Sequence, residues 1–249
     1  MSPLSMSLIV FACVFGGALA GMALRGVLPE HHRSTESRDV VKLGMGLIAT
    51  MSALLLGMLV ASAKDSYELQ KSELTQLTAK VAFLDRVLAL YGPETKEARQ
   101  LLRGGTSHFI DRIWPQDNAP SLGPKAPGSD MLYTKIQELS PKNDTQRSLQ
   151  TQAASTAVEI GQMLYLMFEQ RGSSISTVLL AVVVFWLSCI FASFGLFAPS
   201  NATVTATLFV SALSVSCAIF LVLEMDRPFE GMLQISSAPL RDALAHLGQ

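Results

Sequence analysis

The sequence predicts an all-α integral membrane protein with four transmembrane helices and a helical extramembrane insert between the second and the third. Two observations predict this fold class. Four long apolar runs contain no Asp, Glu, Lys, Arg or His, and helical spacing of apolar residues continues between the second run and the third. The composition agrees, because 16% of the 249 residues are charged, whereas soluble domains carry about 25%.

The four runs are each long enough to cross a bilayer, which takes about 20 apolar residues. They cover residues 4–24, 43–63, 176–198 and 204–223. A single run of this kind could be a buried core helix, but four in one chain indicate membrane spans. No Lys or Arg precedes the first run, so it lacks the charged region of a signal peptide, and we expect it to be retained.

The connections divide the chain into four parts. Residues 1–63 hold spans one and two with a polar hairpin at 25–42, residues 64–175 form a helical extramembrane domain, residues 176–223 hold spans three and four, and residues 224–249 form a turn and an amphipathic helix. The amphipathic helix could lie in the membrane interface or pack on the insert. Because the spans are even in number, the insert and both termini are expected on one side.

The side that the insert faces follows from Lys and Arg near the span ends, which favour the cytoplasm. On the insert side these are Lys64, Lys71, Lys80, Arg171, Arg227 and Arg241. On the other side they are Arg25, Arg33, Arg38 and Lys42. The six against four slightly favour a cytoplasmic insert, although the dense 25–42 hairpin favours the opposite.

The second span is predicted to continue as one helix as far as Tyr91, since no Gly or Pro occurs between Lys64 and Tyr91 and Gly92-Pro93 follows. Its extramembrane part carries an apolar seam at alternating three- and four-residue intervals. The seam consists of Leu74, Leu77, Val81, Leu84 and Leu88. It could pack within the chain or act as an assembly seam between subunits.

The rest of the insert is predicted to hold three further helices. The first covers residues 93–102 and is interrupted by Gly104-Gly105, with another turn or two at 106–114. A Pro- and Gly-rich loop and a short helix at 130–139 follow. Asn143 then caps a long helix with an apolar stripe that ends at Met167.

Small residues recur at four-residue intervals in two spans. Span one carries Gly17 and Gly21, and span two carries Ala49, Ala53, Gly57 and Ala61. Small side chains let helices approach closely in lipid. The alternative for span two is that this side lines a narrow pore, where small side chains leave room.

Several function classes lack support in the sequence. Adjacent His31 and His32 point to different faces of a helix or strand, so we expect no metal site there. We expect no cofactor, and no enzyme, because the chain has no catalytic pattern such as HExxH, CxxC or a phosphate-binding loop. The net charge of −1 gives no basic face for nucleic acid. The spans carry no charge of the kind that pumps and transporters use.

The end of span four carries the most specific pattern, LExDRPFxGxxxIxxxPLxxAL from residue 223 to 244. With Leu28-Pro29-Glu30-His31-His32 and Arg112-Ile-Trp-Pro115, it resembles the bacterial bestrophin-like four-span membrane proteins, a family defined as a domain of unknown function. The resemblance covers nearly the whole chain. Its motif residues here are Pro29, Trp114, Pro115, Asp226, Arg227, Pro228, Phe229 and Gly231. Arg227 is expected to pair with Glu224 or Glu230 and lock the turn.

By name, the resemblance implies kinship with bestrophins, which are pentameric anion channels gated by calcium. Span two has no aromatic residue that could form a pore neck, and no calcium-binding acids match, so calcium gating is not expected. We therefore expect an oligomeric, anion-channel-like assembly in a bacterial inner membrane, with lipid, further copies of the chain and inorganic ions as partners. The alternative is a non-conducting membrane scaffold whose helical insert docks a partner.

Overall fold

The computed structural model describes residues 2–27, 35–114, 129–169, 175–199 and 201–248. These residues form eight α-helices and a turn of 3-10 helix at Pro93–Thr95. The helices are α1 (Pro3–Val27), α2 (Thr35–Tyr91), α3 (Lys96–Ile113), α4 (Ser129–Gln137), α5 (Asp144–Glu169), α6 (Thr177–Phe197), α7 (Ala202–Met225) and α8 (Ala238–His246). The described residues include no strand, so the predicted all-α class is confirmed.

Four of the helices, α1, α2, α6 and α7, are long and apolar enough to cross a membrane, which confirms the four predicted spans. The contacts divide the chain into two compact units. Unit 1 consists of Met1–Tyr67 and Ser173–Arg227, and unit 2 of Glu68–Gly172 and Pro228–Gln249. Helix α2 begins in unit 1 and ends in unit 2. Unit 2 thus contains most of the predicted insert (64–175) and most of the predicted C-terminal part (224–249).

In unit 1, α1 packs along α6 and α7. Its buried residues Val10, Val14 and Ala18 repeat every four positions and so share one face of the helix. The helix ends are capped by two polar side chains. Asn201 accepts a hydrogen bond from the first turn of α7, and Arg25 donates to the carbonyl oxygen of Ala198 at the end of α6, 2.5 Å away. These bonds satisfy backbone groups that a helix end leaves open.

In unit 2, the end of α2 buries the predicted seam. The exposed fraction is at most 4% for Leu74, Leu77, Val81, Leu84, Leu88 and Tyr91. The seam therefore packs within the chain, and the interpretation as an assembly seam between subunits is corrected. Periodicity identifies which face of a helix is apolar, but it does not identify what covers that face.

Helix α5 begins as the sequence predicts. Asn143 accepts a hydrogen bond from the backbone N–H of Gln146, 2.8 Å away, and the Gln146 side chain accepts one from the N–H of Lys142. Its amide also donates to the carbonyl of Tyr91, which ties the start of α5 to the end of α2. The stripe on α5 is buried at Ala153, Ala157, Ile160 and Met167.

Helix α3 differs from the prediction, because it runs unbroken through Gly104 and Gly105. A glycine inside a helix costs about 1 kcal/mol relative to alanine. Burial of Leu102, Phe109 and Ile110 on either side of the pair offsets this cost. Tertiary packing therefore overrides the local preference of the two glycines.

Candidate functional site

The membrane part of α2 uses a narrow face for packing within unit 1. Leu59 and Ala63 are buried there with Val183 of α6 and Val222 of α7, and Ser52 is buried two turns earlier. Only 11% of the most apolar 18-residue window of α2 is buried, compared with 22% in α1 and 28% in α6 and α7. Of the four spanning helices, α2 thus has the largest membrane surface left open by the described chain.

The small residues of α2 lie on this open surface. Ala49, Ala53, Gly57 and Ala61 are all exposed. A Cβ atom added to Gly57 would meet no atom of the described residues within 4 Å. The four residues are therefore not needed for packing inside the protomer. Their side is open to whatever surrounds the protomer, which can be lipid, a second copy of the chain or a water-filled path.

The small residues of α1 have a different environment, because Gly17 and Gly21 contact α6 directly. A Cβ at Gly17 would lie 2.8 Å from the carbonyl oxygen of Ser188, and one at Gly21 would overlap that of Ala192. Gly195 on α6 meets α1 in the same way, against the carbonyl of Ala18. The structure thus places these glycines at a tight helix–helix contact.

Two parts of the sequence motif meet in unit 2. The indole Nε1–H of Trp114 donates to the carbonyl oxygen of Ile235, 2.9 Å away. The Trp114 and Phe229 rings pack edge to face with 5.6 Å between centroids. The N–H of Ile235 also donates to the carbonyl of Pro228, which closes the turn. We call this group, Trp114 with Pro228, Phe229 and Ile235, the tryptophan corner.

The other motif residues are near the corner in the sequence or fall outside the described chain. Asp226 forms the C-cap of α7. Gly231 has a φ angle of 78°, which L side chains rarely adopt, so the turn requires glycine there. Pro29 and Pro115, together with His31 and His32, lie outside the described residues. The pairing of Arg227 with Glu224 or Glu230 stays a prediction.

A buried ion pair holds the end of the chain in unit 2. Asp85 of α2 and Arg99 of α3 make two parallel hydrogen bonds of 2.8 Å. The bond to Asp85 raises the pKa of Arg99. Asp85 also accepts from the N–H of Gly248, and Arg103 donates to the carbonyl of Leu247. Of the two predicted positions for the C-terminal helix, the structure shows α8 packed on the insert.

An exposed ion pair joins the 3-10 turn that follows α2 to the segment just before α5. The ammonium of Lys142 lies 2.6 Å from a carboxylate oxygen of Glu94. This hydrogen bond lowers the pKa of Glu94 and raises that of Lys142. Because both groups face solvent, the pair adds little stability.

Unit 2 also contains a cavity of about 360 Å³ that the sequence analysis missed. One wall is the face of α3 formed by Leu101, Gly104, Gly105, His108 and Arg112. Their spacing of three and four residues places them on one side of the helix. That spacing was visible in the sequence, but the supposed break at the two glycines concealed it.

The chain matches the family model of the bestrophin-like domain over residues 12–240. The chain belongs to the bestrophin-like family. No match was found among curated proteins, and none among solved structures. The family assignment and the four apolar helices make this a membrane protein.

In this bestrophin-like protein, the family match includes both units. It begins in the first spanning helix, passes through the small-residue side of α2 and the tryptophan corner, and ends at Leu240 of α8. The family domain is therefore neither the membrane part nor the extramembrane part alone. The resemblance predicted from the sequence is confirmed.

Proposed function

We propose that this bestrophin-like protein assembles into an oligomer that conducts ions, with anions preferred, along a path lined by α2. The observation that carries the proposal is the open side of α2 at Ala49, Ala53, Gly57 and Ala61. Small side chains leave room for an ion at a helix surface. They also leave backbone dipoles close to the path, and these can stabilise a partly dehydrated ion.

The lack of acidic residues in span two supports conduction of an anion over that of a cation. Residues 43–63 contain no Asp or Glu, whereas cation channels commonly place rings of acids along the path. The same run contains no Lys or Arg, so the proposed path relies on dipoles and weak binding. The kinship with bestrophins points in the same direction.

The surface of α2 next to the small residues supports assembly. Leu54 and Met58 are 66% and 63% exposed, although they lie in a spanning helix. A pore beside the small residues needs several copies of α2 around one axis. In such an arrangement these bulky side chains would contact lipid or a neighbouring copy. We also propose that the protein lies in a bacterial inner membrane with its insert on the cytoplasmic side.

The first experiment is ion flux into liposomes that contain the purified protein, with chloride and potassium measured separately and the oligomeric mass determined in the same preparation. Chloride flux above that of empty liposomes supports the proposal. Potassium flux without chloride flux would mean that the conducted ion is a cation and not an anion. Absence of both under varied calcium, pH and voltage would favour the non-conducting scaffold, whose docking surface cannot be the buried seam.

A further inference from the structure

The cavity in unit 2 combines an apolar interior with one cationic wall. Apolar side chains of α2, α4, α5 and α8 form half of the lining, including Val81, Met131, Leu164 and Leu240. Arg112 is at the end of the α3 wall. Ligand sites usually show this combination of an apolar body and a few polar groups. None of the lining residues belongs to the membrane path proposed above.

Arg112 lacks an acidic partner in the part of the chain that the structure describes. No ion pair or hydrogen bond joins its guanidinium to a described residue, and its Nη1 atom is buried without a hydrogen-bond partner. The guanidinium carbon lies 4.4 Å from the ring centroid of Phe168. The ring supplies a cation–π attraction. An unsatisfied buried donor destabilises a protein, and more so when it is charged.

The two glycines of α3 widen the cavity at its mouth. A Cβ added to Gly104 or Gly105 would meet no atom of the described residues within 4 Å, so packing does not require glycine. Their φ angles are helical, so the backbone does not require glycine either. Each nevertheless weakens the helix relative to alanine. The pair leaves room beside His108 and Arg112, where a ligand can approach the backbone.

The volume limits the size of the ligand. The cavity measures about 360 Å³, at the lower end of the roughly 300–1,000 Å³ of typical small-molecule sites. A carboxylate with a tail of about eight to ten carbons has this size. Its tail would contact the leucine and phenylalanine side chains, and its head would reach the arginine.

We propose that this cavity binds an amphipathic monoanion, namely a medium-chain carboxylate whose carboxyl oxygens pair with Arg112 and whose aliphatic tail fills the apolar part. His108, one turn before Arg112 on the same wall, donates a ring N–H to the same head group. A neutral hydrocarbon would leave Arg112 unsatisfied, and a polyanion would find too few donors. A carboxylate satisfies the guanidinium with strong, charge-assisted hydrogen bonds.

The test is equilibrium dialysis of radiolabelled octanoate against the full-length protein in lipid nanodiscs, with binding to empty discs subtracted. Octanol, which has the same tail without the charge, is the matched ligand. We expect saturable octanoate binding and at least about tenfold weaker octanol binding, because a charge-assisted hydrogen bond contributes about 1.5–3 kcal/mol. Equal binding of both ligands, or no saturable octanoate signal, overturns the proposal.

Variants connect the binding to the site. Arg112→Gln should weaken octanoate binding by about tenfold or more, while Arg86→Gln, which removes an exposed arginine of α2 outside the cavity, should leave it unchanged. Gly105→Leu should obstruct the mouth and also weaken binding, although it keeps Arg112. Circular dichroism on each variant verifies the helical fold. Wild-type affinity in both Arg112→Gln and Gly105→Leu overturns the proposal.

Discussion

The indole of Trp114 donates a hydrogen bond to the carbonyl oxygen of Ile235, two residues that are 121 positions apart in the sequence. The bond ties the end of α3 to the segment that precedes α8. Phe229 completes the contact from the start of the same segment. The family motifs at the two ends of this stretch therefore meet at one packed corner of unit 2.

Replacement of Trp114 by Phe should loosen this corner. The variant keeps an aromatic ring against Phe229 but loses the N–H donor. We therefore expect the free energy of unfolding to fall by about 1 kcal/mol. Trp114→Ala should cost about 3 kcal/mol, because the ring is lost as well. The measurement is the rate at which a protease removes residues 228–249. Trp186→Phe on α6 is the control, and an equal increase in rate for that variant would refute the role of the corner.

Gly231→Ala should strain the turn after Pro228. Alanine at a φ of 78° costs about 1–2 kcal/mol, so the C-terminal segment should be cleaved faster than in the wild type. Gly105→Ala should instead raise the stability of the protein, because alanine is favoured over glycine inside a helix by about 1 kcal/mol. If the two variants have the same apparent melting temperature, the left-handed turn carries no strain.

Gly21→Val should separate α1 from α6. The new side chain would overlap the carbonyl oxygen of Ala192, which is backbone and cannot rotate away. Overpacking of this kind costs about 1–3 kcal/mol, and the apparent melting temperature in detergent should fall. Gly16→Val is the matched control, because a Cβ there meets no described atom within 4 Å. A similar fall in both variants would contradict the contact between α1 and α6.

Asp85→Asn should destabilise unit 2 by on the order of 2–3 kcal/mol, because it removes the charge that faces Arg99 in a largely buried pair. It also weakens the bond to the N–H of Gly248. Glu138→Gln breaks an exposed pair with Lys135 and should leave stability close to that of the wild type, because solvent screens the pair. Thermal unfolding of the full chain compares the two. Equal effects would show that burial of the Asp85–Arg99 pair contributes nothing.

The local elements of this protein could be predicted from its sequence. The four spans, the unbroken helix that ends at Tyr91 and the cap at Asn143 depend on nearby residues, namely apolar length, a following Gly-Pro pair and a short polar side chain. Such features need no knowledge of distant parts of the chain.

The long-range features could not be predicted in the same way. The seam around Leu84 could pack within the chain or between copies, and only the positions of α3, α4, α5 and α8 decide this. The continuity of α3 through Gly104-Gly105 depends on burial of its neighbours, which a local propensity does not contain. The cavity beside Arg112 requires several helices to meet, so no single motif indicates it.

The most direct test of the proposed ion path is chloride flux through liposomes that contain the wild type, Gly57→Leu or Gly16→Leu. Neither added side chain meets a described atom near its Cβ, so both variants should keep the protomer fold. If α2 lines the path, Gly57→Leu lowers flux by about tenfold or more, equivalent to ~1.4 kcal/mol of added barrier. Gly16→Leu should conduct like the wild type. Unchanged flux in Gly57→Leu, at the oligomeric mass of the wild type, would contradict the assignment of the path to α2.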